Sequence, residues 1–317
     1  LYYYFDEAFE DEMNTRLFII ETNMMNPDAV MQLPYKHLTV INCLANVKHF
    51  STGNDIEEVN VNSVEYLVKW CLASDSRLVH VSTVSVAGHS MNGFPDPKRR
   101  MNERELDYGQ SLDNQYARSK FNAERLILDA VRDNGLSAKI MRVGNLSARN
   151  SDGEFQMNFM SNNFMATLRA YKTLGACAYE MCDFTCEFSP IDEVSRAILL
   201  LATTPRENIV FHPTNNHTLP MGDVLRGMHV IDAPIRFVEK EEFGAIIGEA
   251  TQDEEKTLRL RPLMAYAASG GNKVVNLGYD NTFTTQVLRR LGFSWAYTSW
   301  DYVERFIKAI AGLDFFD

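Results

Sequence analysis

Short apolar runs that alternate with helical periodicity constrain the fold of this chain more than any other feature. The runs lie at 16–21, 37–43, 77–83 and 138–144, with a weaker run at 208–212. Apolar residues recur at helical spacing between the second and third runs, and again between the third and fourth. Strands that alternate with amphipathic helices predict a parallel sheet with right-handed crossovers and helices on both faces.

Strand signals weaken after Gly144, and helical signals dominate from Thr218 onward. The segments at 154–171 and 189–204 also predict helices, the second with Ser189 as its N-cap and Pro190 in its first turn. We therefore expect the α/β class. The expected architecture is a Rossmann-like doubly wound parallel sheet with a smaller, mostly helical C-terminal subdomain.

Charge and cysteine content exclude several classes of protein. The formal net charge of −11 disfavours binding to nucleic acid or to an anionic membrane, and no apolar run approaches the roughly 20 residues that span a bilayer. The N-terminus lacks the pattern of a signal peptide. The five cysteines are an odd number, which favours reduced thiols in the cytoplasm, and the spacing of Cys177, Cys182 and Cys186 is not that of a zinc site.

Tyr116 and Lys120 lie four residues apart in a predicted helix that ends near Gly135, so both side chains project from one face. A phenol has an ordinary pKa of about 10, which is too high for easy proton transfer near neutrality. An adjacent ammonium favours the phenolate and lowers that pKa. The pair therefore predicts a tyrosine that serves as a general acid.

A strand that ends in hydroxyl residues precedes this helix. Ser82, Thr83 and Ser85 close the run that begins at Arg77, and open parallel sheets bind ligands beyond the carboxyl ends of their strands. One interpretation is that a hydroxyl here donates to a developing oxyanion; the other is that these hydroxyls only cap backbone groups. The order of a strand-end threonine followed by Y-x-x-x-K on the next helix favours the first interpretation.

This order resembles the extended short-chain dehydrogenase/reductase family. The segments "VSTVSVAG", "YARSKFNAERLI", "MRVGNLSA" and "FSPIDEVSRAI" are similar, more narrowly, to the terminal thioester reductase domains of nonribosomal peptide synthetases. Carboxylic acid reductases and aminoadipate reductases share that domain type. The resemblance runs from Phe18 to Pro213 and becomes thin in the C-terminal third.

The resemblance implies roles for the matching residues. The implied catalytic residues are Thr83, Tyr116 and Lys120, and the implied cofactor-binding residues are Ala45, Asn60, Ser82, Lys120, Gly144 and Asn145. The implied cofactor is NADP(H), with NAD(H) as the alternative. The implied partner is a carrier protein whose phosphopantetheine arm bears a peptidyl or acyl thioester, which is reduced to an aldehyde or further to an alcohol.

The same resemblance suggests a division of the chain. Residues 1–145, joined by 186–215, would form a partial dinucleotide-binding core, and 146–185 with 216–317 would form a subdomain that binds substrate and carrier. We expect this domain to be monomeric. The glycine-rich phosphate turn of the family has no counterpart in the sequence, so we expect the chain to begin in or after the second helix of the fold, without that segment. Ser63 also stands where the family has glycine.

Two other functions would use the same fold. An extended reductase or epimerase that acts on a free small molecule, such as a nucleotide sugar, would share the three catalytic side chains. A catalytically silent interaction module would keep the fold without a phosphate loop. The sequence contains no G-x-S-x-G elbow, which argues against hydrolytic release.

Overall fold

Four parallel strands form the central sheet of the computed structural model, which describes residues 9–47, 54–156, 162–269, 274–313 and 315. The strands lie in the order β1 (Thr39–Asn42), β2 (Arg77–Thr83), β5 (Ala138–Val143) and β10 (Val210–Phe211). Every neighbouring pair is parallel. The predicted parallel sheet is confirmed, with four of the five predicted strands in it, those at 37–43, 77–83, 138–144 and 208–212.

The remaining elements are short strands that pair in twos, and helices. The short strands are β3 (His89–Met91), β4 (Arg100–Met101), β6 (Leu146–Ser147), β7 (Ala176–Ala178), β8 (Thr185–Glu187), β9 (Ser189–Pro190), β11 (Thr218–Pro220), β12 (Arg236–Val238), β13 (Val274–Asn276) and β14 (Gly278–Tyr279). The α-helices are α1 (Pro27–Met31), α2 (Asp55–Glu57), α3 (Ser63–Ala73), α4 (Gln115–Asn134), α5 (Asn163–Leu174), α6 (Tyr179–Cys182), α7 (Ile191–Ala202), α8 (Met221–Arg226), α9 (Lys240–Ala250), α10 (Glu254–Ser269), α11 (Thr282–Arg290) and α12 (Trp300–Ala311). A π-helical turn, Glu58–Asn62, joins α2 to α3, and 3₁₀ turns occupy Val84–Ala87 and Gly227–Ile231.

Helices cover both faces of the sheet because successive strand residues point in opposite directions. Leu78 of β2 packs with Leu67 of α3 and Ile127 of α4. Its neighbour Val79 packs on the other face with Ile198 of α7. The doubly wound arrangement predicted from the alternation of elements is therefore confirmed.

The ends of α4 follow from its capping residues. The side chain of Asn114 accepts a hydrogen bond from the Ala117 N–H, which satisfies one of the free donors of the first turn. Gly135 ends the helix with φ at 69°, a left-handed conformation that favours glycine. The predicted stop at Gly135 is confirmed, and α4 places Tyr116 in its first turn.

The start of α7 differs from the prediction. The helix begins at Ile191, and Ser189 is not its N-cap but a strand residue that pairs with Leu146. The Ser189 hydroxyl donates instead to the carboxylate of Glu187. The first turn of α7 is satisfied by Asp192, whose carboxylate accepts from its neighbour's N–H and from the loop at Asn150.

A second apolar cluster lies outside the sheet. It joins aromatic and aliphatic side chains from α5, β8, α8 and α12, among them Tyr171, Phe188, Val224, Tyr302 and Phe306. The helices predicted after Thr218 are present as α8 to α12. We expected residues 216–317 to lie in the second subdomain. However, Leu288 of α11 and the following Phe293 and Trp295 pack on the sheet with α7.

The run at 16–21 is not a strand, and this prediction is wrong. Its only ladder contact is an isolated bridge between Leu17 and Met13, and Phe18, Ile19 and Ile20 are 60%, 73% and 50% exposed. β1 is an edge strand of the sheet. Among the described residues, the run at 16–21 has no neighbouring strand with which to share hydrogen bonds.

Helix α5 begins at Asn163, later than predicted, and residues 157–161 of that predicted helix lie outside the described residues. Across the part of the chain that the structure describes, every helix is too short or too polar to cross a membrane.

Candidate active site

The carboxyl end of β2 meets the first turn of α4 at a pair of hydroxyl side chains. Thr83 ends the strand, and its side chain is hydrogen-bonded to the phenol of Tyr116. Thr83 Oγ1 also accepts from the Ser85 N–H at 3.1 Å, which fixes the threonine rotamer at the start of the 3₁₀ turn. The structure thus brings together two of the three predicted catalytic residues, and both are largely buried.

Lys120 lies one helical turn beyond Tyr116 and is 3% exposed. Its Nζ donates to the Val81 carbonyl at 3.0 Å, so the amine reaches back under the end of β2. Burial lowers the pKa of Lys120 to about 8, and the nearby Glu124 carboxylate opposes this shift. The side chain points into the protein and not outward into water.

The electrostatics of Tyr116 differ from the prediction. Burial raises the pKa of Tyr116 to about 12, and the hydrogen bond with Thr83 opposes that rise. The predicted lowering by Lys120 is not seen, because the amine is directed to the Val81 carbonyl and desolvation outweighs the remaining interactions. Tyr116 is therefore a protonated phenol, which can donate a proton.

Asn60 connects the loop after β1 to the first turn of α4. Its Oδ1 accepts from the Asn46 N–H at 2.7 Å, and its Nδ2 donates to the Asn46 carbonyl at 3.0 Å and to Ser119 Oγ at 2.9 Å. Ser119 Oγ in turn donates to the Tyr116 carbonyl. The Asn60 amide thus holds the loop that contains Ala45 beside α4, and its own polar atoms are used within the protein.

Ser82 points away from the space beside Thr83, Tyr116 and Lys120 at the carboxyl edge of the sheet, which we call the crevice. Its hydroxyl is 2.5 Å from Glu124 Oε1, to which it donates, and the residue is buried. Ser82 lies on the same side of β2 as Leu78, which packs against α4, so its hydroxyl reaches Glu124 of that helix. The structure therefore places Ser82, which we predicted in the cofactor group, in an internal polar network.

That network was missed by sequence reasoning. Arg142 of β5 and Glu124 of α4 are fully buried and form a two-pronged ion pair, in which Arg142 Nη2 lies 2.7 Å from Glu124 Oε2 and Arg142 Nε lies 3.1 Å from Oε1. Arg142 also lies 3.1 Å from His212 Nε2, and His212 Nδ1 is 2.7 Å from the Asp280 carbonyl. Burial, aided by Arg142, lowers the pKa of His212 to about 3, so its ring is neutral.

Two signals could have revealed this network. Arg142 is a charge inside the apolar run at 138–144, and Glu124 follows Lys120 at the same spacing that separates Lys120 from Tyr116. A charge in a buried strand needs a partner. Helix α4, which faces the strand, supplies Glu124 as that partner, four residues after Lys120.

Gly144 and Asn145 follow β5 at the same edge of the sheet. The register pairs Thr83 with Val143, so Gly144 comes directly after the residue opposite Thr83. The Asn145 N–H donates to Glu187 Oε2 at 2.6 Å. Burial raises the pKa of Glu187 to about 7, while hydrogen bonds from Ser189 and Asn145 oppose that rise. Sequence reasoning gave Glu187 no role.

The crevice suits the nicotinamide riboside half of a dinucleotide. Lys120 has three N–H donors and gives one to Val81, which leaves donors for ribose hydroxyls. Cys43 is exposed beside Lys120, and half-buried Ala45 continues the same loop. For a metal, by contrast, the described ranges contain no cluster of three or more His, Cys, Asp or Glu side chains.

The doubly wound sheet, with Thr83 at the carboxyl end of β2 and with Tyr116 and Lys120 on α4, has the arrangement expected of an extended short-chain dehydrogenase/reductase. The chain belongs to the NAD-binding family described as "Male sterility protein", whose model matches residues 2–198. The predicted membership in the extended short-chain dehydrogenase/reductase family is thereby confirmed. A comparison with curated proteins finds no match.

Solved structures support the same assignment. A thiolation-reductase di-domain from an archaeal nonribosomal peptide synthetase is 32% identical, with a TM-score of 0.87; the match covers 99% of this chain and 66% of that chain. The reductase domain of the aureusimine biosynthetic cluster is 25% identical, with a TM-score of 0.78, and covers 98% and 77%. The terminal R domain of the myxalamid pathway is 20% identical, with a TM-score of 0.79 and coverage of 99% and 78%, which shows a shared fold. The resemblance to terminal reductase domains is thus confirmed.

Proposed function

We propose that the chain catalyses NAD(P)H-dependent reductive release of a peptidyl or acyl thioester from a carrier protein, giving an aldehyde. The observation that carries this proposal is the buried cluster in which Thr83 is hydrogen-bonded to Tyr116 and Lys120 lies one turn further along α4. The archaeal relative, described as a thiolation-reductase di-domain, supports a carrier-bound substrate.

Each residue of the cluster has a distinct task in this mechanism. Thr83 Oγ1 and the Tyr116 phenol donate to the thioester carbonyl oxygen and stabilise the charge that develops on it. NAD(P)H, when bound, supplies a hydride to the carbonyl carbon. Tyr116 gives its proton to the oxygen, and the resulting thiohemiacetal releases the phosphopantetheine thiol and leaves an aldehyde. Reduction of the aldehyde in a second cycle would give the alcohol.

The cofactor would be held by the loop after β1 and by α4. Lys120 would bind the ribose hydroxyls, and Gly144 and Asn145 would lie beside the nicotinamide. Ala45 would line the same crevice, with its loop held in place by Asn60. We propose NADP(H) as the cofactor, with NAD(H) as the alternative that the titration below distinguishes.

The two apolar clusters support a division of the chain into a cofactor-binding part and a substrate-binding part. We propose that the sheet with its flanking helices holds the cofactor, and that the cluster around Phe188 and Tyr302 builds the substrate and carrier-binding subdomain. Residues 282–295 belong with the sheet by their packing. The five cysteines are free thiols, which supports a reducing compartment such as the cytoplasm.

The test uses the full-length protein. Titration with NADPH and NADH is followed by single-turnover reaction with a carrier whose phosphopantetheine arm bears an acyl thioester; the expected result is aldehyde formed in proportion to cofactor oxidised. A carrier that lacks the arm is the control. Oxidation of cofactor with a free nucleotide sugar in place of the thioester would favour the small-molecule reductase, and failure to bind either cofactor would favour a silent module.

A second readout locates the cofactor without turnover. Cys43 lies beside Lys120 and is exposed, so NADPH in the crevice should slow its alkylation by a maleimide. Cys182, in α6 of the other subdomain, is the internal control and should react at an unchanged rate. Equal protection of both cysteines, or of neither, would contradict the proposed location.

A further inference from the structure

Glu187 connects three segments that leave the carboxyl edge of the sheet. Its Oε2 accepts from the Asn145 N–H at 2.6 Å, and its Oε1 accepts from the Ser189 hydroxyl. Ser189 Oγ accepts from the Asn215 N–H at 2.9 Å, and the Ser189 N–H donates to the Asn145 carbonyl at 3.0 Å. One carboxylate thus joins the turn after β5, the start of β9 and the segment after β10.

The close approach of the Glu187 carboxylate also explains why residue 144 is a glycine. A Cβ added at Gly144 would lie 2.5–2.7 Å from the carboxyl atoms of Glu187, closer than real Cβ contacts come. Gly144 has no positive φ angle that would otherwise require glycine. The absence of a side chain at position 144 is therefore matched to the position of the Glu187 carboxylate.

The charges around this carboxylate are few. The ionisable groups that face it are the phenols of Tyr279 and Tyr302, and both have pKa values raised by burial. No lysine or arginine forms an ion pair with Glu187 in the described part of the chain. The carboxylate is held by N–H and O–H donors alone, which it binds more strongly when ionised.

We propose that Glu187 is a positioning residue that fixes the Gly144–Asn145 turn against the nicotinamide end of the crevice, so that cofactor affinity depends on this carboxylate. The inference rests on the proposed function for the location of the nicotinamide. Glu187 would act through the turn and would not touch the reacting atoms. Its carboxyl titrates near neutrality, so the ionised form should hold the turn more tightly above pH 7 than below it.

The test compares two substitutions in the full-length protein. Glu187→Ala removes the contact to Asn145, and we expect the NADPH Kd to rise about tenfold or more, as for loss of a buried charge-assisted hydrogen bond. Turnover at saturating cofactor should stay within about threefold, since the interaction is made before the reaction. Glu187→Gln keeps an acceptor for Asn145 and a donor for Ser189, so its affinity should return to within about threefold of the parent.

The pH profile separates positioning from a general loss of structure. The NADPH affinity of the parent should weaken as pH falls through about 7, and the affinity of Glu187→Gln should not share that step. Glu193→Gln is the matched control, because Glu193 is a half-buried carboxylate that accepts from the Ala296 N–H and not from Asn145. Its pH profile should match that of the parent.

Three results would overturn the inference: an unchanged NADPH Kd in a folded Glu187→Ala protein, a Glu187→Gln protein as weak as Glu187→Ala, or identical pH profiles for Glu187→Gln and the parent. If Glu187→Ala does not fold, the pH profile of NADPH affinity in Glu187→Gln is sufficient to test the inference. A parent protein that binds neither NADPH nor NADH would instead refute the proposed function, so the two failures are distinct.

Discussion

The two walls of the crevice are built in different ways. The first wall, which we call the catalytic wall, comprises Thr83, Tyr116 and Lys120 from β2 and α4. The second wall, which we call the clamp wall, comprises Gly144, Asn145 and Glu187. Two of the three residues of the catalytic wall, Tyr116 and Lys120, are related by helical spacing within α4, whereas Asn145 and Glu187 of the clamp wall are 42 positions apart. The comparison shows that one side of a site can be visible in sequence while the other is created by tertiary folding.

The walls also differ in charge. The pKa of Lys120 in the catalytic wall falls to about 8, and the pKa of Glu187 in the clamp wall rises to about 7. Burial is the main cause of both pKa shifts, because it favours the neutral form of each group. Lys120 has the Glu124 carboxylate nearby, one turn further along α4, whereas Glu187 has only hydrogen-bond donors and phenols. The same desolvation therefore gives opposite dependence of stability on pH in the two walls.

The largest expected effect comes from the ion pair that ties the walls together. Arg142 precedes Gly144 by two residues, and its partner Glu124 lies on the helix of Lys120. Arg142→Met leaves a buried carboxylate without its partner, which should lower the free energy of unfolding by about 3–5 kcal/mol. Chemical denaturation measures the change.

The control for this prediction is the same substitution at a surface ion pair. Arg132→Met removes an exposed arginine that pairs with Asp129 and Asp133, and it should leave stability nearly unchanged. The double variant Glu124→Leu/Arg142→Met should recover much of the loss. If the double variant were as unstable as Arg142→Met alone, an unpaired charge would not be the cause.

The next largest effect tests the catalytic wall alone. Tyr116→Phe keeps the ring and removes the proton, so turnover should fall by at least about a hundredfold, while carrier binding stays nearly unchanged. Cofactor binding should also be nearly unchanged, in contrast to Glu187→Ala. Tyr179→Phe, at a tyrosine that is 55% exposed, is the control. If the turnover of Tyr116→Phe were within threefold of that of the parent, Tyr116 would not be the proton donor.

These contrasts explain what could be read from the sequence. The catalytic wall was predicted because Tyr116 and Lys120 share one face of a helix with clear caps, and Thr83 ends an apolar strand. Ser82 was misplaced because strand alternation, which turns it toward Glu124, was not applied to it. The strand predicted at 16–21 failed because hydrophobic pattern cannot show whether a neighbouring strand is present.

The resemblance named Gly144 and Asn145 of the clamp wall, but their contact with Glu187 could not be predicted from the sequence. Glu187 lies beside Ser189, and the sequence pattern favoured Ser189 as a helix cap, which left the carboxylate without a partner. Its contacts to Asn145, and through Ser189 to Asn215, depend on how β8, β9 and the loop after β10 cross. The division into two subdomains stays a prediction that the packing clusters support in part.

The third prediction contrasts the pH dependence of the two walls. The native pKa of Glu187 is raised from 4.5 to about 7, so the folded protein holds the extra proton and loses stability, about 3 kcal/mol, as pH rises through this window. The native pKa of Lys120 is lowered from 10.5 to about 8, so stability is regained as pH rises from 8 toward 10.5.

Two variants measure these opposite slopes. The stability of Glu187→Gln relative to the parent should increase between pH 4.5 and 7, and that of Lys120→Met relative to the parent should decrease between pH 8 and 10.5. Denaturation midpoints across pH give both differences. Slopes of the same sign would show that desolvation does not control both groups.

The smallest expected effect tests the contact within the clamp wall. Gly144→Ala places a methyl group against the Glu187 carboxylate and should cost about 1 kcal/mol of stability or more through overpacking. In a Glu187→Ala background the same methyl group no longer meets the carboxylate, so the cost should be much smaller. Thermal unfolding of the four proteins gives the coupling energy, which should be about 1 kcal/mol. Because this cycle needs no cofactor, additive costs would show that Gly144 and Glu187 are not in contact, whatever reaction the crevice catalyses.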